Sequence, residues 1–135
     1  MNRIEANFLP LTQMWDYPNL NQPGLYLIGQ SVANSDTKRI SYLIKIGYSK
    51  NVTQRLKQYF TYNPHVSIID TIPFNKKEKD YFGIEACFHI DLDNIGIRCG
   101  FSEWYQVSEE NYNLINTNKF EFFNAIKVFR DSFEE

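Results

Sequence analysis

The stretch YLIKIGYSKNVTQRLKQY, Tyr42 to Tyr59, decides how this chain is read. Its first half, YLIKIGYS, is dense in β-branched and aromatic residues and is expected to be a strand. Gly47 marks the break. Ser49, Lys50 and Asn51 then offer capping side chains ahead of VTQRLKQYF, in which Val52, Leu56 and Tyr59 or Phe60 recur at helical spacing. Lys45, Lys50, Arg55 and Lys57 gather around this hand-over from strand to helix, although the whole chain carries a net charge of −2 and a pI near 5.7.

Upstream, Gln22-Pro23-Gly24 leads into GLYLIG, where Leu25 to Ile28 are strand formers ended by Gly29. Residues 30 to 41 are polar and read as a loop, so the two strands are expected to pair as an antiparallel hairpin with a long connection. Downstream, VSIIDTIPF (66–74) reads as a third strand, with Pro73 at its end because it lacks a ladder donor. Lys77 to Leu92 places Tyr81, Ile84, Phe88 and Leu92 on one helical stripe. SEWYQVS (102–108) is expected to be the last strand. Ser108 can cap a short helix after it, and Asn118, with Glu121 three residues on, a longer one with the stripe Phe122, Ile126, Phe129 and Phe133.

That order predicts a single-domain α+β fold, a small central mixed or antiparallel sheet flanked by helices. Its parts are an N-terminal arm over 1–22, a core over 23–108 and a C-terminal helical extension over 109–135. The 135 residues include eleven Phe, nine Tyr and two Trp, enough aromatic surface for one real core without staples. Cys87 and Cys99 are too few for a disulfide framework, no basic-then-apolar leader opens the sequence, and no run approaches the roughly 20 apolar residues of a membrane span. An intracellular, cytoplasmic protein is the expectation. The acidic balance excludes a surface that traps nucleic acid everywhere, so any such contact must be local.

Four features occur in order: GLY at Gly24 to Tyr26, KIGYSKNVTQRL at Lys45 to Leu56, Glu85 in a later helix, and EWY from Glu103. Together they resemble the GIY-YIG nuclease superfamily, most closely the phage and viral branch whose second motif reads KIG. The resemblance covers roughly residues 23 to 108, with an arginine eight residues after Gly47. It implies a metal-dependent endonuclease that hydrolyses phosphodiester bonds in DNA. It places the first motif's tyrosine at Tyr26, the second motif's glycine at Gly47, the helix arginine at Arg55 and the metal-binding glutamate at Glu85, with Mg²⁺ or Mn²⁺ as cofactor. Tyr59 matches a tyrosine of repair-type members, and Tyr48 stands where those members often have lysine. The pattern departs at Lys45, a tyrosine in most of the family, and no counterpart is found for the asparagine that many members carry after the glutamate helix.

The chemistry of these residue types agrees with such roles. Phosphodiester hydrolysis needs an activated water, counter-charge on the phosphoryl oxygens and help for the leaving oxygen. The planar guanidinium of Arg55 can hold two phosphoryl oxygens at once, and a glycine at 47 would let a sugar-phosphate backbone approach. One carboxylate with waters suffices for Mg²⁺, which then acts as Lewis acid. The base is open among Tyr26 or Tyr48, Lys45, and a metal-bound water acting without a protein base. A tyrosine base must be lowered from about 10 by about three units to work at pH 7. Lys45 could equally be a fixed cation on phosphate.

Gly47, Lys50, Tyr59 and His89 are the candidate substrate contacts. His89 lies one turn beyond Glu85 on the same face, where it could orient that carboxylate, assist a leaving group, or be an ordinary surface histidine. Glu103 is either structural or a site carboxylate, and Trp104 is expected in the core. Cys87, His89 and Cys99 are rejected as a zinc site, because positions 87 and 89 point apart on a helix and a fourth ligand is missing. No Ser-His-Asp, P-loop or dinucleotide pattern occurs. The alternative to a nuclease is a catalytically weak or inactive module of the same fold that binds nucleic acid or a protein partner. For either, DNA is the expected partner, with single strands included, and a homodimer or partner protein would supply affinity.

Overall fold

The structure, a computed structural model, describes residues 23–63, 65–73, 81–100 and 102–127. The N-terminal arm, Phe129 and Phe133 therefore lie outside the described residues. Two long strands, β1 (Gly24–Ala33) and β2 (Ile40–Ser49), form the hairpin that the opening stretch predicts. Then follow α1 (Val52–Tyr62), β3 (Ser67–Pro73), α2 (Tyr81–Ile95), β4 (Gly96–Arg98), β5 (Tyr105–Val107) and α3 (Glu109–Asn118). The five strands make one open, wholly antiparallel sheet in the order β3-β1-β2-β5-β4, so the fold is α+β. No helix among the described residues is long and apolar enough to cross a membrane.

Both faces of β1 are buried because helices cover both sides of the sheet. Leu25 and Leu27 face a core shared with Ile44, Ile46, Phe88, Tyr112 and Ile115, whereas Tyr26 and Ile28 face Val52, Leu56, Val66 and Ile68. The strand period of two thus sends alternate residues to α1 on one face and to α2 and α3 on the other. Each such aliphatic side chain contributes about 1.5–3 kcal/mol of burial.

Three expectations need correction. Residues 30–33 and 40–41 are not loop but continue the ladder, pairing Gln30 with Leu43 and Ala33 with Ile40. Only 34–39 connect the strands, closed by Asn34 Oδ1, which accepts from Asp36 N and Thr37 N. Residues 31–33 are exposed, so pairing there rests on backbone hydrogen bonds without an apolar face for a sequence pattern to show. Second, β4 falls in a segment without strand composition, where Gly96 pairs with Val107. Third, no long helix starts at Asn118. Lys119 takes φ 59°, which ends α3, and a 3₁₀ turn (Lys119–Phe122) follows. That turn is tethered by Asp70 Oδ2, which accepts from Phe120 N, and Asp91 Oδ2 holds Ala125 N beyond it.

The caps of α1 and α3 agree with the sequence. Ser108 Oγ accepts from Asn111 N at the start of α3, and Asn51 Oδ1 accepts from Gln54 N at 3.0 Å at the start of α1. Since α1 carries Arg55 and Tyr59, its cap also fixes the site. Asn51→Ala is expected to cost about 1 kcal/mol, read as a lower denaturant midpoint at unchanged slope.

Candidate active site

The site forms where β2 outruns β5. Strand β5 pairs only with Tyr42–Ile44, so β2 from Lys45 onward has β1 alone beside it, and the chain before β5 is free to bring Glu103 across that end. Lys45 faces the α1 side, nearly buried at 9% exposure, and its Nζ lies 3.2 Å from Glu103 Oε2. The same ammonium stands 5.3 Å from the centroid of the Tyr59 ring, within cation–π range. The Tyr59 hydroxyl is 3.2 Å from the Tyr26 hydroxyl. A connected line therefore runs from Tyr26 through Tyr59 and Lys45 to Glu103.

Glu103 joins this line to the other face. One ligand atom each from Glu85, His89 and Glu103 lies within 4.8 Å of the others, a grouping that could hold a metal ion. Glu85 and His89 occupy successive turns of α2, with Oε1 and Nε2 3.7 Å apart, and His89 Nδ1 is 3.4 Å from the Tyr105 hydroxyl. Two carboxylates and one imidazole are donors that a divalent cation accepts, and Tyr105 fixes the ring from behind. These three residues, with Asp93 and Arg98, line a cavity of about 380 Å³.

Arg55 is exposed on α1 and lines two further cavities. One, of about 410 Å³, is bounded by Tyr59, Tyr62, Trp104, Gln30 and Asn63; the other by Tyr48, Lys50, Asn51 and Gln54. Arg55 and Glu85 thus border neighbouring cavities rather than one, with Glu103 and Trp104, adjacent in the chain, at the division. Tyr48 rims the Arg55 cavity but packs against the core on the α2 face, away from Tyr26 and Lys45.

Gly47 has a different neighbour from the one expected. It pairs across the hairpin with Tyr26, and a Cβ built at position 47 would lie 2.5 Å from Tyr26 Cζ. The space over the glycine is occupied by a phenol, not left for a sugar-phosphate backbone. Tyr26 itself is 1% exposed, and burial, reinforced by Tyr59, pushes its pKa well above the phenol value of 10, against a smaller opposing pull from Arg55. That direction keeps Tyr26 protonated, the reverse of what a base needs at neutral pH.

A linkage follows. The folded chain favours the neutral phenol, so this stabilisation is complete below about pH 10 and is lost as pH rises beyond it. Burial shifts Tyr112 the same way. Tyr26→Phe, which cannot ionise, is expected to make the loss of stability above about pH 10 less steep while leaving Tyr112's share, as read by alkaline denaturation; identical slopes would contradict this assignment.

Gln30, Tyr62 and Asn63 were not singled out by sequence, and Trp104, expected in the core, is only partly buried. Gln30 had a usable signal: positions 26, 28 and 30 share one strand face. The cysteines do not join His89 in any metal grouping found among the described residues, where Cys87 and Cys99 are free. No curated protein and no solved structure matches this chain. The T5orf172 domain matches residues 24–118, from the first residue of β1 to the last of α3. That span holds the whole sheet and every residue of the site, and the chain belongs to the T5orf172 domain family.

Proposed function

We propose that this protein is a metal-dependent endonuclease of GIY-YIG type that hydrolyses phosphodiester bonds in DNA. The observation that carries the reading is the junction at Glu103, where a carboxylate–imidazole group fit for a divalent ion meets a cation, Lys45, and two hydrogen-bonding tyrosines. Glu85, Glu103 and His89 would hold the ion. Mg²⁺ and Mn²⁺ both take carboxylates, and the imidazole favours Mn²⁺. When bound, the ion supplies Lewis-acid charge stabilisation at the phosphoryl group.

The chain's own residues then have distinct tasks. Arg55, exposed between two cavities, clamps non-bridging phosphoryl oxygens, and Lys50 beside it follows the backbone. Lys45 is a fixed cation that orients Glu103. Tyr26, held as a phenol, shares a hydrogen bond with the Tyr59 hydroxyl and orders it at the site. Because burial holds Tyr26 as a neutral phenol, its part is that of a donor and not of a base.

A second reading, nucleic-acid binding without cleavage, is favoured by the Lys45–Glu103 ion pair, which already engages one of the metal-binding carboxylates. The test is incubation of purified protein with labelled single- and double-stranded DNA and RNA, with Mn²⁺, Mg²⁺ or chelator. Metal-dependent DNA cleavage that falls on the order of 10²–10³-fold in Arg55→Ala supports the nuclease. Binding without cleavage in every metal selects the second reading, and cleavage indifferent to Arg55→Ala sinks the clamp.

A further inference from the structure

The cavity of about 410 Å³ beside Arg55 has chemistry that phosphate contacts do not explain. Its volume lies in the range of small-ligand pockets. Tyr59, Tyr62 and Trp104 supply aromatic surface, Gln30 and Asn63 supply amides, and among the described residues no carboxylate lines it. Tyr62, on the last turn of α1, is 89% exposed, so its ring lies open to a ligand. The amides are held in place: Asn63 Nδ2 donates to Gln30 Oε1, and Asn63 Oδ1 accepts from His65 N. With both carbonyl ends engaged, the amide groups left to a ligand are NH₂ donors.

Aromatic faces with fixed amide donors, without negative charge and with a guanidinium at the edge, match a nucleobase attached to a phosphate. The second cavity sharpens the match. Arg55 and Gln58 border both, and the second adds Lys50, Ser49 and Asn51, with no acidic residue among the described residues that line it. A phosphate on Arg55 would thus have a basic, polar path on one side and an aromatic chamber on the other.

We propose that this chamber is a nucleobase site, which receives one unpaired base of a single-stranded or splayed nucleic acid whose adjoining phosphate lies on Arg55. The inference rests on the nuclease reading for its setting and deepens it by naming the substrate class. A base inside the chamber has left its helical stack. That is costly for a paired base and far less so for one already single-stranded, so single strands bind preferentially. The base stacks on Tyr62 and Trp104 and offers its carbonyl and ring-nitrogen acceptors to Gln30 and Asn63.

The test uses a short single-stranded oligonucleotide carrying 2-aminopurine, the same sequence in duplex, and an oligonucleotide with an abasic site in place of the probe base, all in chelator to prevent cutting. Binding is expected to quench the 2-aminopurine fluorescence, with affinity on the order of tenfold higher for the intact single strand than for either the abasic strand or the duplex. Tyr62→Ala is expected to weaken single-strand binding on the order of tenfold and abolish most of the quenching, with duplex affinity unchanged. The exposure of Tyr62 keeps that variant folded, and Gln30→Leu gives a second reading from the opposite wall. Unquenched fluorescence, equal affinity for abasic and intact strands, or a silent Tyr62→Ala would overturn the site. Failure here separates from failure of the nuclease: metal-dependent cutting without quenching removes only the base site, and quenching without cutting in any metal removes only the nuclease.

Discussion

Glu85→Gln is expected to reduce metal-dependent DNA cleavage on the order of 10³-fold while leaving the fold intact. The substitution keeps the shape of the side chain and removes one of two carboxylate ligands from the grouping with His89 and Glu103. A loss of 10³ corresponds to about 4 kcal/mol of transition-state stabilisation, within the several kcal/mol that a Lewis-acid ion supplies to a phosphoryl group. Stability should barely change, because among the described residues Glu85 pairs with His89, itself partly exposed and 3.7 Å away. Mn²⁺ calorimetry separates the causes: binding must weaken together with cleavage. Wild-type Mn²⁺ affinity in Glu85→Gln would remove this residue from the metal group.

Glu103→Gln should behave differently, and the contrast tests the geometry. Glu103 belongs to the grouping that could hold a metal ion and also pairs with the buried Lys45 ammonium. Losing its charge weakens metal binding and also leaves Lys45 without the carboxylate 3.2 Å away. Because Glu103 is 44% exposed, water replaces part of that interaction, so the stability loss stays below the 3–5 kcal/mol roughly typical of a fully buried pair.

How much of this was legible follows from what each contact depends on. Val52, Leu56 and Tyr59 lie at helical spacing, and Glu85 and His89 at i and i+4, so the periodicities placed each set on one face. Strand β1 showed its start and apolar centre but not its C-terminal end, because residues 31–33 pair through backbone groups with solvent around their side chains. The role of Glu103 depends on β5 stopping opposite Ile44, which opens the end of β2 to a carboxylate from a preceding turn. No local pattern encodes where a neighbouring strand stops. The aromatic chamber was hidden for a similar reason: Gln30, Tyr62 and Trp104 come from three segments that only the packed sheet brings together.

Gly47→Ala is the most informative single change at the strand break, because two accounts of that glycine predict opposite results. If the glycine clears a path for a sugar-phosphate backbone, a methyl there weakens substrate binding and leaves stability alone. The register instead sets Tyr26 across from it, and the added Cβ would lie 2.5 Å from Tyr26 Cζ and 3.1 Å from Cε2. Tyr26 cannot withdraw cheaply, since it is 1% exposed and packed among Ile28, Val52 and Leu56. Overpacking of this kind costs about 1–3 kcal/mol, and here it also pushes the phenol away from its 3.2 Å contact with Tyr59. The expected result is a lower denaturation midpoint together with impaired cleavage. A double-mutant cycle locates the cause: in a Tyr26→Ala background the penalty of Ala at position 47 should largely vanish, giving a coupling of about 1 kcal/mol or more. A full-strength penalty in that background would mean that the methyl collides with something other than the phenol, whereas normal stability with lost DNA binding would return the glycine to the substrate path.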